Sequence, residues 1–180
     1  MPANNIVLVG FMGCGKTSVG RRLAQLAGMR LVDTDELITT DAGVSISEIF
    51  AEEGEAGFRA REAAALASIE GIAGAVVSTG GGIVLDAVNR KKLRELGVVC
   101  WLDAEPDVMF ERASRSGRRP LLLAPNPRET FEQLLAARRT LYESVADFCV
   151  DSGALDHQTA AEKILLEVAR LEGEKAKTDP

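Results

Sequence analysis

The sequence predicts an α/β fold of three layers, helix on sheet on helix, built on a five-stranded parallel sheet. Apolar runs of strand length recur five times in 180 residues, at NIVLV (5–9), RLVDT (30–34), AVVST (75–79), VVCWLD (98–103) and DFCVD (147–151). Segments of helical period separate them, and a regular βαβα alternation argues for parallel strands wrapped by helices. The runs are largely apolar on successive residues, which suits strands covered on both faces.

The first run leads directly into GFMGCGKTSVG (10–20), where Gly10, Gly15, Lys16 and Thr17 complete the pattern G-x-x-x-x-G-K-[ST]. Strand before and helix after is the context this motif needs to cradle phosphates. Glycines let backbone N–H groups turn inward around phosphate oxygens, and the helix start adds its own free N–H groups and partial positive charge. Gly13, Cys14, Gly15, Lys16, Thr17 and Ser18 are therefore the candidate nucleotide contacts. Lys16 is expected to neutralise the β- and γ-phosphates of a nucleoside triphosphate, and the Thr17 hydroxyl to ligate Mg²⁺. Cys14, beside a positive helix terminus, is read either as a reactive thiol or as a structural residue.

A helix follows over 16–28, and the second strand ends in LVDTDEL. If the chain stays extended, Asp33 and Asp35 share one face of it. One carboxylate then sits near Mg²⁺ and the other accepts hydrogen bonds from a hydroxylated substrate. The alternative is that Thr34, Asp35 and Glu36 open the next helix. Residues 43–63 read as one or two inserted helices (46–53 and 56–71), with Ile46, Ile49 and Phe50 facing inward. The third strand ends in STGGG, and Gly80, Gly81 and Gly82 suit a backbone that a ligand approaches closely. It carries no acidic residue, which argues against a motor-type ATPase.

Further helices are expected over 86–96, 105–115, 128–146 and 157–172, with Asp86, Asp107 and Asp156 near their starts. Between them SRSGRRPLLLAPNP (114–127) is rich in Arg, Gly and Pro and reads as a mobile surface loop. The tail 173–180 is charged and is expected to be disordered. The whole is one domain over 1–172, with a substrate-binding insertion at about 34–63 and a lid at about 114–127.

Composition excludes several classes. The chain is 46% apolar and 27% charged with a formal net charge of −6. No apolar run reaches the roughly 18 residues of a membrane span, no basic field draws nucleic acid, and no export signal is apparent. An anionic ligand must be held by local arginines. Cys14, Cys100 and Cys149 form no metal or CxxC pattern, and a reducing cytoplasm is the expected compartment. Cys100 and Cys149 are expected to be buried strand residues.

Taken in order, GFMGCGKTSVGRRLA, DTDELI, ISEIFAEEGEAGFRAREAAAL, VVSTGGGIV, RRPLL and RRTLYESVAD resemble the shikimate kinase family over roughly residues 5–172. The resemblance implies a nucleoside monophosphate kinase-like P-loop fold with an Arg-rich lid. It implies transfer of the γ-phosphoryl group of ATP, with Mg²⁺, to the 3-hydroxyl of shikimate, in a protein expected to be a monomer. It implies that Asp35 accepts from the shikimate hydroxyls, that Asp33 lies near the metal through water, and that Arg59 and Arg138 clamp the carboxylate. Gly80, Gly81 and Gly82 would press on the same ligand, Arg119 would be the lid arginine, and Arg112 would lie near the adenine. Arg138 is preferred to Arg139 because it stands four residues before Tyr142, as in the family pattern. Thr140 replaces a frequent proline, and the loop after VDS lacks another. Lys16, Asp35 and Arg119 are thus the candidate catalytic residues.

Guanidinium forks suit a carboxylate, and carboxylates suit hydroxyls, so Arg59, Arg138 and Asp35 have the composition an anionic polyol site needs. Alternatively, Arg59 is a solvated helix charge paired with Glu62 or Glu55, and Arg138 another; in the site reading Glu62 instead orients Arg59. The alternative is another small-metabolite or nucleoside monophosphate kinase. A GTPase would need an NKxD-type motif, which the chain lacks.

Overall fold

A computed structural model describes residues 5–115 and 120–178. The first strand, β1 (Asn5–Val9), is buried at every position and forms the middle of the sheet. It is followed by α1 (Lys16–Ala27), β2 (Arg30–Asp33), α2 (Thr34–Ala42), α3 (Ile46–Ser68) and β3 (Ala75–Ser78). A short 3₁₀ turn (Ile83–Leu85) leads to α4 (Ala87–Leu96), β4 (Gly97–Asp103) and α5 (Pro106–Arg115). A second 3₁₀ turn (Pro120–Leu122), α6 (Pro127–Val145), β5 (Phe148–Asp151) and α7 (His157–Thr178) complete the described chain.

All pairings are parallel, in the order β2-β3-β1-β4-β5. The chain moves one way from β1 to β2 and the other from β3 to β4. Right-handed crossovers then place α1 and α4 on opposite faces of the sheet. The reversal leaves a crevice at the carboxyl ends of β1 and β3, where open α/β sheets bind ligands. One core runs through both faces, from Leu23 of α1 to Leu93 of α4 and Tyr142 of α6, and α2 and α3 share a smaller cluster around Ile38, Ile49 and Phe58. Asn5 pins the start of β1 by donating to the Ile72 and Leu96 carbonyls at 2.7 and 2.8 Å and accepting from the Ala75 amide at 3.0 Å.

Local chemistry sets the helix boundaries. Ser45 and Glu48 form a reciprocal capping box at the start of α3. Gly54, at φ 69° and ψ −174°, interrupts that helix near the expected break between its two halves. Asp86 accepts from Val88 N at 2.6 Å and Asp156 from Thr159 N at 2.7 Å, each satisfying an open amide at a helix start. Asp107 lies in the first turn of α5 and pairs with Arg128.

Four expectations change. Asp33 ends β2 and caps α2, accepting from the Asp35 amide at 3.0 Å, so Asp33 and Asp35 do not share a strand face. Helix α7 continues to Thr178 through most of the tail expected to be disordered, because EGEKAKT contains no helix breaker besides Gly173. Cys149 is exposed because β5 is an edge strand, whereas Cys100 in β4 is buried. The segment read as a loop over 114–127 contains the end of α5, the turn at Pro120–Leu122 and the first residue of α6.

Candidate active site

The phosphate loop runs from β1 into α1 across the sheet crevice. Gly15 caps α1 in the left-handed region at φ 90°, and no side chain caps the helix. The first-turn amides are thus left for an anion rather than a neighbouring hydroxyl. Gly13 has φ 84°, and a methyl there would collide with the Met109 carbonyl of α5. Lys16 donates to the Gly10 and Phe11 carbonyls at 2.7 and 3.0 Å and to Cys14 Sγ at 3.5 Å. Buried Ser152, just past β5, ties the loop down by donating to the Cys14 carbonyl at 2.6 Å.

Above this loop lies a cavity of about 360 Å³, within the range of small-ligand sites. Gly13, Gly15, Lys16, Thr17 and Ser18 line it together with Asp33, Asp35, Arg112 and His157. Thr17 Oγ1 donates to Asp33 Oδ2 at 3.0 Å. Cys14 departs from its neighbours, because its thiol is buried in the core. Burial makes it an inert structural thiol rather than a reactive one.

A second cavity opens toward α2 and α3. Asp35, Arg59, Glu62, Arg138 and the three glycines line it together with Phe50 and Phe58. Arg59 is held by Glu62 at 2.5 Å and Glu55 at 2.7 Å. Burial works against its charge, but the two carboxylates outweigh it and leave its pKa above the ordinary value. Glu62 is 1% exposed, and burial lifts its carboxyl above the usual range while Arg59 opposes the shift. Arg138 is buried beside the Phe11 ring, and burial lowers its pKa. Arg139 points elsewhere, to Asp103 at 2.7 Å and over Trp101.

Among the described residues, Arg59 Nε and Glu62 Oε1 are buried without a hydrogen-bond partner. Such atoms are costly unless a ligand satisfies them. The glycines bring backbone against this cavity: Gly80 N donates to Thr34 Oγ1 at 3.1 Å, and a methyl on Gly82 would overlap the Arg59 guanidinium. Met12, Asp35 and Gly81 line both cavities, so the two spaces meet there.

Of the residues expected from sequence, those of the phosphate loop other than Cys14, with Asp33 and Arg112, gather around the first cavity. Arg59, Arg138 and the three glycines gather around the second, and Asp35 stands between. Arg119 lies outside the described residues. Sequence reasoning gave no role to His157, Ser152 or the Tyr142 hydroxyl. His157, the only histidine, opens a helical run and was open to notice. Ser152 acts through a contact 138 positions away, which no local pattern announces.

A parallel sheet with an open phosphate loop at its switch point, joined to a cavity of paired arginines and carboxylates, defines a P-loop kinase of small molecules. The shikimate kinase family model matches residues 12–169. A shikimate kinase of Symbiobacterium thermophilum is 49% identical over 160 residues, covering 87% of this chain and 92% of the relative. That of Thermodesulfovibrio yellowstonii is 46% identical over 171 residues, covering 95% and 98%. A shikimate kinase from Acinetobacter baumannii, solved in complex with shikimate, superposes with a TM-score of 0.90 at 38% identity over 93% of this chain and 94% of that one. A Sinorhizobium meliloti gluconokinase, 21% identical with a TM-score of 0.65 over 99% of each chain, shares the fold. The chain belongs to the shikimate kinase family and is an ATP-dependent kinase. None of its described helices is long and apolar enough to cross a membrane.

Proposed function

We propose that the chain transfers the γ-phosphoryl group of ATP to the 3-hydroxyl of shikimate, yielding shikimate 3-phosphate and ADP. The observation that carries this reading is the meeting of a phosphate-loop cavity with one whose arginines and carboxylates match an anionic polyol. Phosphoryl transfer through a loose transition state asks a protein mainly to align the reactants and neutralise charge.

Lys16 exchanges the Gly10 and Phe11 carbonyls for the β- and γ-phosphates, and the uncapped amides at the start of α1 hold phosphate oxygens. Arg59 and Arg138 hold the shikimate carboxylate, with Glu62 fixing the Arg59 fork from behind. Asp35, at the junction, accepts hydrogen bonds from the ring hydroxyls and aligns the attacking one. A loose transition state asks little more of a base. Gly80, Gly81 and Gly82 let the ring approach the backbone. Arg112 lies beside the nucleoside. Arg119 is assigned to the transferring phosphoryl group by its match to the family's lid arginine alone.

Magnesium fits this site. Thr17 and Asp33 offer hard oxygen donors, and the described residues contain no cluster of three metal-ligating side chains, as suits an ion carried mainly by phosphates and water. Thr17 would ligate it directly and Asp33 through water, and the ion would neutralise phosphate charge. One chain lines both cavities, which supports the monomer as the working unit. Its three free cysteines suit the cytoplasm.

The test is ADP release from ATP with shikimate, gluconate, AMP or no acceptor. Turnover that depends strongly on shikimate supports the reading, and equal turnover without any acceptor overturns it.

A further inference from the structure

Tyr142 is fully buried, and its hydroxyl donates to the Gly81 carbonyl at 2.5 Å. It lies one helical turn beyond Arg138 on α6, so the two side chains share a face. The Arg138 guanidinium interacts with the phenol and also reaches the Gly81 carbonyl, at 3.4 Å. That second distance is long for a good N–H···O bond. One carbonyl thus has two donors in reach, and the phenol holds it more closely.

The carbonyl belongs to a residue common to both cavities. A methyl built on Gly81 would stand 3.4 Å from the Gly10 carbonyl oxygen and 3.6 Å from both Met12 N and the Tyr142 hydroxyl. Gly81 is therefore wedged between the phosphate loop and α6. The Tyr142 ring stacks on Trp101 with centroids 6.2 Å apart. Burial raises the phenol's pKa above its ordinary value, so it remains a neutral donor throughout the working range.

We propose that Tyr142 is a positioning residue for the acceptor: by occupying the Gly81 carbonyl, its hydroxyl keeps the Arg138 guanidinium turned toward the acceptor's carboxylate. Without the hydroxyl, the Gly81 carbonyl is a partly buried acceptor beside a cation. Arg138 also loses its hydrogen bond with the phenol, and a charge-assisted bond to the freed carbonyl draws one arm of its fork away from the substrate. The inference rests on the proposed shikimate reading.

The experiment compares wild type with Tyr142→Phe, which keeps the ring against Trp101, using shikimate and its uncharged methyl ester as acceptors. A thermal melt establishes that the variant folds. The expected result is a rise of about tenfold in KM for shikimate, with kcat and KM for ATP within about twofold. The preference for acid over ester in kcat/KM shrinks by a similar factor. In an Arg138→Met background, the same tyrosine change leaves that preference unaltered. A parallel rise in both KM values, or an undiminished acid preference in Tyr142→Phe, overturns the inference. Should wild type itself not use shikimate, or use acid and ester equally, the proposed function fails instead.

Discussion

Replacing Arg59 by methionine removes the nearest counter-charge of the buried Glu62. In the intact protein Glu62 is 1% exposed, and Arg59 Nη1 meets its Oε2 at 2.5 Å. Burial raises the Glu62 carboxyl, Arg59 is the strongest opposing influence, Asp35 adds to the rise and Arg138 weakly resists it. Without Arg59 the folded-state pKa climbs further, while the unfolded value stays near about 4.3. The folded variant then binds a proton that the unfolded chain releases. The stability that this one group contributes is fully present below about pH 4.3 and is lost as pH rises toward the folded value, by up to about 1.4 kcal/mol per unit.

Breaking a fully buried pair costs about 3–5 kcal/mol. The Arg59 side chain is 22% exposed and Arg138 remains near Glu62, which places the expected loss lower, at about 2–3 kcal/mol near pH 7.5. Near pH 5 the expected loss is about 1 kcal/mol. Urea unfolding at the two pH values measures it, with Arg59→Met/Glu62→Gln as the companion variant. The double variant should recover most of the loss near pH 7.5. An equal loss at both pH values, or no recovery in the double variant, refutes the reasoning.

Gly82→Ala places a methyl on the Arg59 guanidinium at an ordinary φ of −95°, so the fork yields rather than the backbone. KM for shikimate should rise on the order of tenfold to a hundredfold with little change in KM for ATP, as initial rates will tell. Ser152→Ala removes the buried hydroxyl that donates to the Cys14 carbonyl at 2.6 Å. It should cost about 1–2 kcal/mol of stability in urea and raise KM for ATP more than KM for shikimate. Cys149 is the one exposed cysteine among the described residues; burial of part of its surface, followed by Asp103, lifts its thiol to about 11. A disulfide reagent should modify one thiol in the folded protein, slowly near neutral pH and faster as pH rises toward that value, and leave activity intact. Rapid loss of activity would show that Cys14 is reached.

The strands and the phosphate loop were legible because their signals are local. Five apolar runs fall within about a residue of the five strands, and glycine and lysine spacing alone marks the loop. Helix α2 was the harder case. LVDTDEL reads as well as a strand end as a helix start, and TDELITTDA buries only Thr34 and Ile38. The capping bond from Asp33 decides between them, and that choice moves Asp35 from a strand face to the first turn of a helix. The second cavity was legible in its charges but not in their arrangement. Glu62 is buried because α3 packs against the STGGG turn, and Tyr142 matters through a carbonyl 61 positions away. Neither relation has a sequence period.

Titration of shikimate into the protein by calorimetry, followed by ADP, tests most directly whether an anionic polyol sits beside the phosphate cavity. Wild type should bind one shikimate per chain, and Arg59→Met and Arg138→Met should lose that heat while still binding ADP. Absence of shikimate binding to wild type, or loss of ADP binding to the same extent in both variants, contradicts the account.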